Sequence, residues 1–264
     1  MPLQVINVVY LGRVDYATAL ELQRALVHLV KAGRTSHTLL LLEHPPVITL
    51  GRNAREDNVV VSRDFLTAQG VELFETDRGG DVTFHGPGQL VGYPIFDLRG
   101  FTPRLRAVEF VRKMEESLIR TCGDLGVVTQ RIAGLTGVWT RNEPAAKIAA
   151  IGVHISRGVT SHGFALNVNT DLDYFKLIVP CGISDKPVTS LEREMASFPT
   201  AHAVLTLEEA AQLVSRNFGR VFEAQTLWLE SLDRLDATPA NQDTPARAPE
   251  ELRRLAGEED AFLV

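Results

Sequence analysis

Residues 5–10 form a nearly unbroken apolar run and residues 38–42 form a second, a pattern that predicts two buried strands. Between them, Asp15 stands where a helix N-cap belongs, and Leu22, Leu26 and Leu29 recur at helical spacing before Gly33 closes the segment. His44-Pro45-Pro46 then turns the chain, because neither proline can donate to a ladder, and residues 47–50 resume extended structure. A short helix over 64–69 ends at Gly70, and strands follow at 71–74 and 90–96. The next helix, over 107–122 and closed by Gly123, carries Val108, Val111, Met114 and Leu118, with Cys122 on the same apolar stripe.

Short apolar segments at 127–131, 137–140, 146–156 and 161–168 predict more strands, and residues 171–177 one or two helical turns. Thr189 with Glu192, and Thr206 with Glu209, have the spacing of capping boxes. The second of these opens a helix marked by Leu207, Leu213, Val214, Phe218, Val221 and Phe222. Strands in the middle with helices early and late give an α+β class, a mixed or antiparallel sheet core with flanking helices. Residues 1–230 read as one domain. Residues 231–264, rich in Asp, Pro, Ala, Glu and Arg without a sustained apolar stripe, read as a polar, flexible tail.

Charge and composition narrow the class. With 45% hydrophobic and 23% charged residues the chain is an ordinary soluble globular protein, and its net charge of −6 argues against nucleic acid as a partner. One basic stretch, Arg99, Arg104, Arg106, Arg112 and Lys113 against Glu109 alone, is either a solvated helix face or a landing surface for an acidic protein. The first ten residues have neither a basic leader nor a membrane-length apolar run. Two cysteines of different character make no disulfide framework, which places the chain in a reducing cytoplasm. The seven histidines are scattered without ligand spacing, so no metal is expected. His154 and His162 read as facing solvent or a neighbouring strand, and His85 alone is kept as a site candidate.

The candidate chemistry lies in three places. Cys181 sits between Pro180 and Gly182, outside any helix or strand pattern, and is either a buried structural thiol or a displayed nucleophile. Lys147 begins an alternating run on the parity of Ala149, Ile151, Val153 and Ile155, so its amine either frays into solvent or is held in a dry pocket. Arg78-Gly79-Gly80 and His85-Gly86-Pro87-Gly88 concentrate glycines that admit close backbone approach, yet match neither phosphate-binding fingerprint. Ser161, Gly163, Ala165 and Asn167 share one strand parity, leaving room for an alkyl chain or for a closely packed backbone.

Taken together, residues 78–89, 147–153 and 163–168, with Pro180-Cys181-Gly182-Ile183 beyond, resemble the lipoyl(octanoyl) transferase family over residues 5–222. The resemblance implies the fold of biotin and lipoate protein ligases. It also implies transfer of an octanoyl group from acyl carrier protein, without cofactor or ATP. The implied acceptor is a lysine of the lipoyl domains of 2-oxoacid dehydrogenases or of the glycine-cleavage H protein. Cys181 would carry the acyl thioester, Lys147 would lower its pKa and move protons, and His85 would be auxiliary. The acyl pocket would be lined by Arg78, Gly79, Gly80, Asp81, Val82, Thr83, Phe84, His85, Ala150, Ile151, Gly152, Gly163, Phe164 and Ala165. Asp81 and Phe84 depart from the family's usual Gln or Glu and Tyr. An ammonium ~4 Å from a thiol at an effective dielectric near 20 is worth roughly 4 kcal/mol before desolvation, enough to hold a thiolate. The competing readings are an ATP-dependent lipoate ligase, an amidotransferase between lipoyl domains, and a non-catalytic acyl- or partner-binding module.

Overall fold

The first apolar run becomes β1 (Gln4–Arg13), and the helix behind it is α1 (Tyr16–Lys31), whose first turn is capped by the Asp15 carboxylate accepting from the Thr18 N–H at 2.8 Å. The computed structural model describes residues 4–179, 187–196 and 205–235. After β2 (His37–Glu43) the chain builds a small unit from β3 (Val47–Leu50), α2 (Arg63–Ala68), β4 (Glu72–Glu75) and β5 (Val82–His85). It returns through β6 (Gln89–Ile95) to α3 (Ala107–Asp124) and then runs β7 (Thr129–Ile132), β8 (Leu135–Thr140), β9 (Lys147–Ser156) and β10 (Val159–Asn167). The short α4 (Leu191–Met195), the long α5 (Leu207–Phe222) and β11 (Ala224–Leu229) complete the order.

An eight-stranded mixed sheet, ordered β11-β1-β2-β6-β10-β9-β8-β7, forms the frame, and a three-stranded sheet, β4-β3-β5, stands beside it. β1 pairs in parallel with both β2 and β11, while the pairs from β2 to β7 are antiparallel. Alternation sorts the side chains. Val8, Leu39, Leu41 and Leu90 meet α3 and α5 on one face, whereas Val9, Leu40, Leu42 and Val91 meet α1 on the other. β2 is buried from His37 to Leu42, and its centre is the continuous run Leu39–Leu42, because helices cover it from both sides. Ile48, Leu50, Leu66, Val82 and Phe84 give the small sheet its own core.

Five sequence expectations shift. Gly123 lies inside α3, which the chain leaves at Gly126, whose φ of +79° suits glycine. Val108 faces solvent, so the α3 stripe starts at Phe110. The cap of α4 is Ser190, accepting from the Arg193 N–H, because Thr189 turns its hydroxyl to Glu194 instead. β11 was missed because it is an edge strand that leaves Leu227 and Trp228 exposed, without the alternation that marks a half-buried strand. The packed domain also continues beyond residue 230: Leu232 and Leu235 are buried against the α1 cluster, and Thr35 donates to the Leu235 carbonyl at 3.2 Å. Residues 236–264 lie outside the described residues.

Candidate active site

Lys147 opens β9 and is fixed through its backbone. Its N–H donates to the Pro187 carbonyl at 2.8 Å, and its carbonyl accepts from the Thr189 N–H at 3.0 Å. Its ammonium lies over the buried ring of Trp139, 4.7 Å from the centroid, a placement that favours a cation in a poorly hydrated site. Gly137 stands beside it, and is glycine because its φ is +125° and a Cβ there would meet the Ala149 carbonyl at 2.7 Å. Cys181 lies outside the described residues, but both flanks of its segment are anchored. Val179 donates to the Asn58 carbonyl on one side, and Pro187 to Thr189 pair with Lys147 on the other.

The glycine-rich stretch docks on β9. Gly79 donates to the Val153 carbonyl at 2.9 Å, and the N–H groups of Gly51, Arg52 and Asn53 bond the Asp81, Arg78 and Gly80 carbonyls. The buried Arg78 guanidinium donates to the Thr49 hydroxyl and, at 2.7 Å, to the Thr49 carbonyl. Asp81 accepts from Asn58, tying the stretch to the segment that also holds Val179. Gly152 is glycine because the Gly79 carbonyl occupies the place of its Cβ, and Gly163 because the Gly92 carbonyl does the same. Close backbone packing, not an alkyl slot, therefore accounts for these two positions.

These walls enclose a cavity of about 410 Å³, within the range of small-molecule sites. Lys147, residues 78–83, His85, residues 150–152 and residues 163–165 all line it. Phe84 does not: its ring stacks on Tyr174 at 4.7 Å and meets Phe175 edge-on, inside the core of the small sheet. Phe84 therefore belongs to the packing of the small sheet and not to the pocket lining.

The cavity wall also contains a directional chain of hydrogen bonds. The Thr189 carbonyl can only accept, so Asn167 presents its amide NH₂ to it at 2.9 Å and its oxygen to Gln89. Gln89 must then donate to Asn167 and offer its own oxygen to His85 Nδ1 at 2.8 Å. His85 is thereby held with its proton on Nδ1 and Nε2 as an acceptor. Burial first, then the neighbouring His44, pushes its pKa down to about 3, so the ring is neutral at working pH. His44 is fixed the same way: it donates to the Val14 carbonyl and accepts from the Tyr93 hydroxyl, with burial lowering its pKa to about 4.

His162 does not face solvent. It is 2% exposed and lines the cavity, its Nε2 bonded to Asp77 at 2.7 Å, with His154 3.6 Å from the other carboxylate oxygen. Its backbone φ is +55°, and its N–H donates to Gln23 at 2.7 Å, a local conformation that the strand pattern does not announce. Tyr16, Gln89, Tyr93 and Asn167 are further lining residues that pattern reading missed. Gln89 and Asn167 fell inside the quoted motifs, but no spacing rule joins them. The basic stretch is largely engaged within the molecule: Arg99 pairs with Asp97, Arg112 with Glu115, and Lys113 donates to the Val221 carbonyl, leaving Arg104 and Arg106 exposed. Among the described residues no helix is long and apolar enough to cross a membrane.

A cavity of small-molecule size beside a mixed sheet, with the fixed Lys147 on its wall, is the kind of site an enzyme domain builds. The chain belongs to the lipoyl protein ligase A/B catalytic domain family, whose model matches residues 15–219. Within that family its relatives are octanoyltransferases, and it is an enzyme of that kind. The octanoyltransferase of Koribacter versatilis is 64% identical over 98% of this chain and 99% of its own, and that of Acidobacterium capsulatum 61% identical over 86% and 94%. In fold it resembles a bipartite lipoate protein ligase from Thermoplasma acidophilum, with a TM-score of 0.66 at 15% identity over 86% of this chain and 87% of that one. It is equally similar to a lipoate-protein ligase A solved with ATP, with a TM-score of 0.67 at 14% identity over 90% and 92%.

Proposed function

We propose that the enzyme moves an octanoyl group from acyl carrier protein to a lysine of a lipoyl domain through a thioester on Cys181. The observation that carries this is the anchoring of Lys147: its own backbone pairs with residues 187–189, six to eight positions after Cys181, and it lines the cavity. From Pro187 back to Cys181 is six residues, a reach of at most about 21 Å, so the thiol is tethered to the amine's neighbourhood.

In the first step the Cys181 thiolate attacks the carrier thioester, the tetrahedral oxyanion collapses, and the carrier thiolate leaves and takes a proton from Lys147. The lysine amine of the acceptor then attacks the Cys181 thioester, an amide forms, and the amine's proton passes to Lys147 as the Cys181 thiolate is released. Thioester for thioester is nearly isoergic and thioester to amide runs downhill, so ATP has no part. His85, neutral and fixed as an Nε2 acceptor, orients a donor N–H rather than carrying the proton itself. A reducing cytoplasm suits a chemistry that depends on a free thiolate.

Intact-mass measurement after mixing the protein with octanoyl-acyl carrier protein tests the proposal. The expected result is an octanoyl adduct that maps to Cys181 and is discharged by an apo lipoyl domain without ATP. A fully active Cys181→Ser variant, or a strict ATP requirement, would overturn it.

A further inference from the structure

The cavity meets the surface beside Lys147, and one flank of that opening has a charge opposite to that of the chain as a whole. Of the residues that line the cavity, Gly80, Gly134 and Thr136 are the exposed ones, and the last two belong to the β7–β8 hairpin. Val111 of α3 lines it from across the hairpin. Val108 stands one helical turn earlier on the same face and is 69% exposed.

Five arginines on this flank, Arg104, Arg106, Arg112, Arg120 and Arg131, are all exposed and outnumber its three carboxylates. Each carboxylate is already engaged within the molecule. Glu109 accepts from the Arg106 N–H at 2.7 Å at the head of α3, and Glu116 is shared by Arg120 and Arg131. Glu115 is wholly buried and accepts from Arg112, from Arg131 and from the Gly137 N–H, and Gly137 stands beside the Lys147 side chain. What turns to solvent here is positive, on a chain whose net charge is −6. Such a field beside the opening steers an acidic partner to this spot and away from the rest of the surface.

We infer that the α3 flank, centred on Val108 and ringed by Arg104, Arg106, Arg112 and Arg131, is the docking surface for the acyl donor, an acidic carrier protein whose thioester hangs on a long flexible arm. This rests on the transfer reading for the existence of a carried donor. Distance separates donor from acceptor. Arg106 precedes Val111 by five residues, about 7.5 Å of helix axis, so a protein seated on the patch stands off from the opening. A long arm spans that offset, whereas a lysine side chain, with ~6 Å of reach, needs its own domain pressed onto the opening.

Two readouts separate docking from transfer. One is the fluorescence anisotropy of a labelled holo-acyl carrier protein. The other is steady-state transfer to an apo lipoyl domain from octanoyl-acyl carrier protein or from octanoyl-N-acetylcysteamine, a small uncharged thioester. Arg104→Glu combined with Arg106→Glu, and separately Val108→Glu, alter exposed side chains outside the cavity lining. Each should weaken carrier binding and raise the carrier KM about tenfold, leaving kcat/KM for the small thioester and KM for the lipoyl domain within about twofold. Added salt should weaken carrier binding severalfold in the native protein and much less in the arginine double variant. Carrier binding unchanged in both variants would overturn the inference, as would a parallel loss with the small thioester. A loss confined to the lipoyl domain would also overturn it, by making the patch the acceptor's seat. A carrier that docks with this sensitivity yet gives up no octanoyl group would overturn the transfer reading alone.

Discussion

The face of the large sheet under α3 and α5 and the wall of the cavity are both dry, yet they exclude water to opposite ends. Under the helices, Phe96, Phe110, Phe218 and Phe222 pack ring against ring, and Cys122 lies in the same core, where burial pushes its thiol up to about 12. Along the cavity the buried groups are Tyr16, His85, Tyr93 and His162, with His44 bonded to Tyr93 beside them, and the histidines are held in defined tautomers by carbonyls, amides and a carboxylate. Burial alone makes a thiol inert. Reactivity in a dry place needs a charge and fixed dipoles built into the wall.

The sharpest way to break this contrast is to exchange the fates of the two cysteines. Cys181→Ser should lower octanoyl transfer by at least about a thousandfold, whereas Cys122→Ala should leave kcat within about twofold and cost stability on the order of 1–2 kcal/mol, read by urea titration. Lys147→Ala should move the pH profile of thiol alkylation to higher pH, because the thiolate loses its neighbouring ammonium. Cys122 stays silent in that assay below about pH 10, which makes it an internal control.

Next in size is the acid response of the buried histidines. Folded His37, His44 and His85 have pKa values lowered by burial to about 4, about 4 and about 3, against about 6.5 for the unfolded chain. Between pH 6.5 and about 4 the unfolded chain therefore binds more protons, and stability should fall by several kcal/mol as pH drops through that window, above which it is fully present. Urea midpoints against pH would show it, and a flat profile would contradict these burials. Gly152→Ala should cost about 1–3 kcal/mol by pressing a methyl on the Gly79 carbonyl. The smallest effect belongs to the exposed Arg99–Asp97 pair, where Arg99→Ala should leave the urea midpoint essentially where it is.

Periodicity made the strands and helices legible wherever one face is buried, as in β2, α1 and α5. It failed at β11, where an edge strand has no dry face to mark. The site was legible as far as each residue type announced its own chemistry: Lys147, the glycine-rich loop and His85 were singled out before any geometry. The rest depended on relations that a one-dimensional pattern does not contain. His162 meets Asp77, eighty-five residues away in the sequence, and the Thr189–Asn167–Gln89–His85 chain joins separate segments through side-chain amides. Phe84 shows the converse. A residue inside a glycine-rich motif was assigned to the pocket with its neighbours, although its ring packs in the core of the small sheet.

The register that zips Gln4 to Ala224 has a bearing on biogenesis. Some 220 residues separate these partners, so during translation β1 has one border unsatisfied until nearly the whole catalytic unit has left the ribosome. A nascent chain with such an open border is exposed to wrong partners for many seconds at ordinary synthesis rates. Shielding by a chaperone would matter most for this strand, and a stall just short of β11 should yield a sticky intermediate rather than a smaller working enzyme.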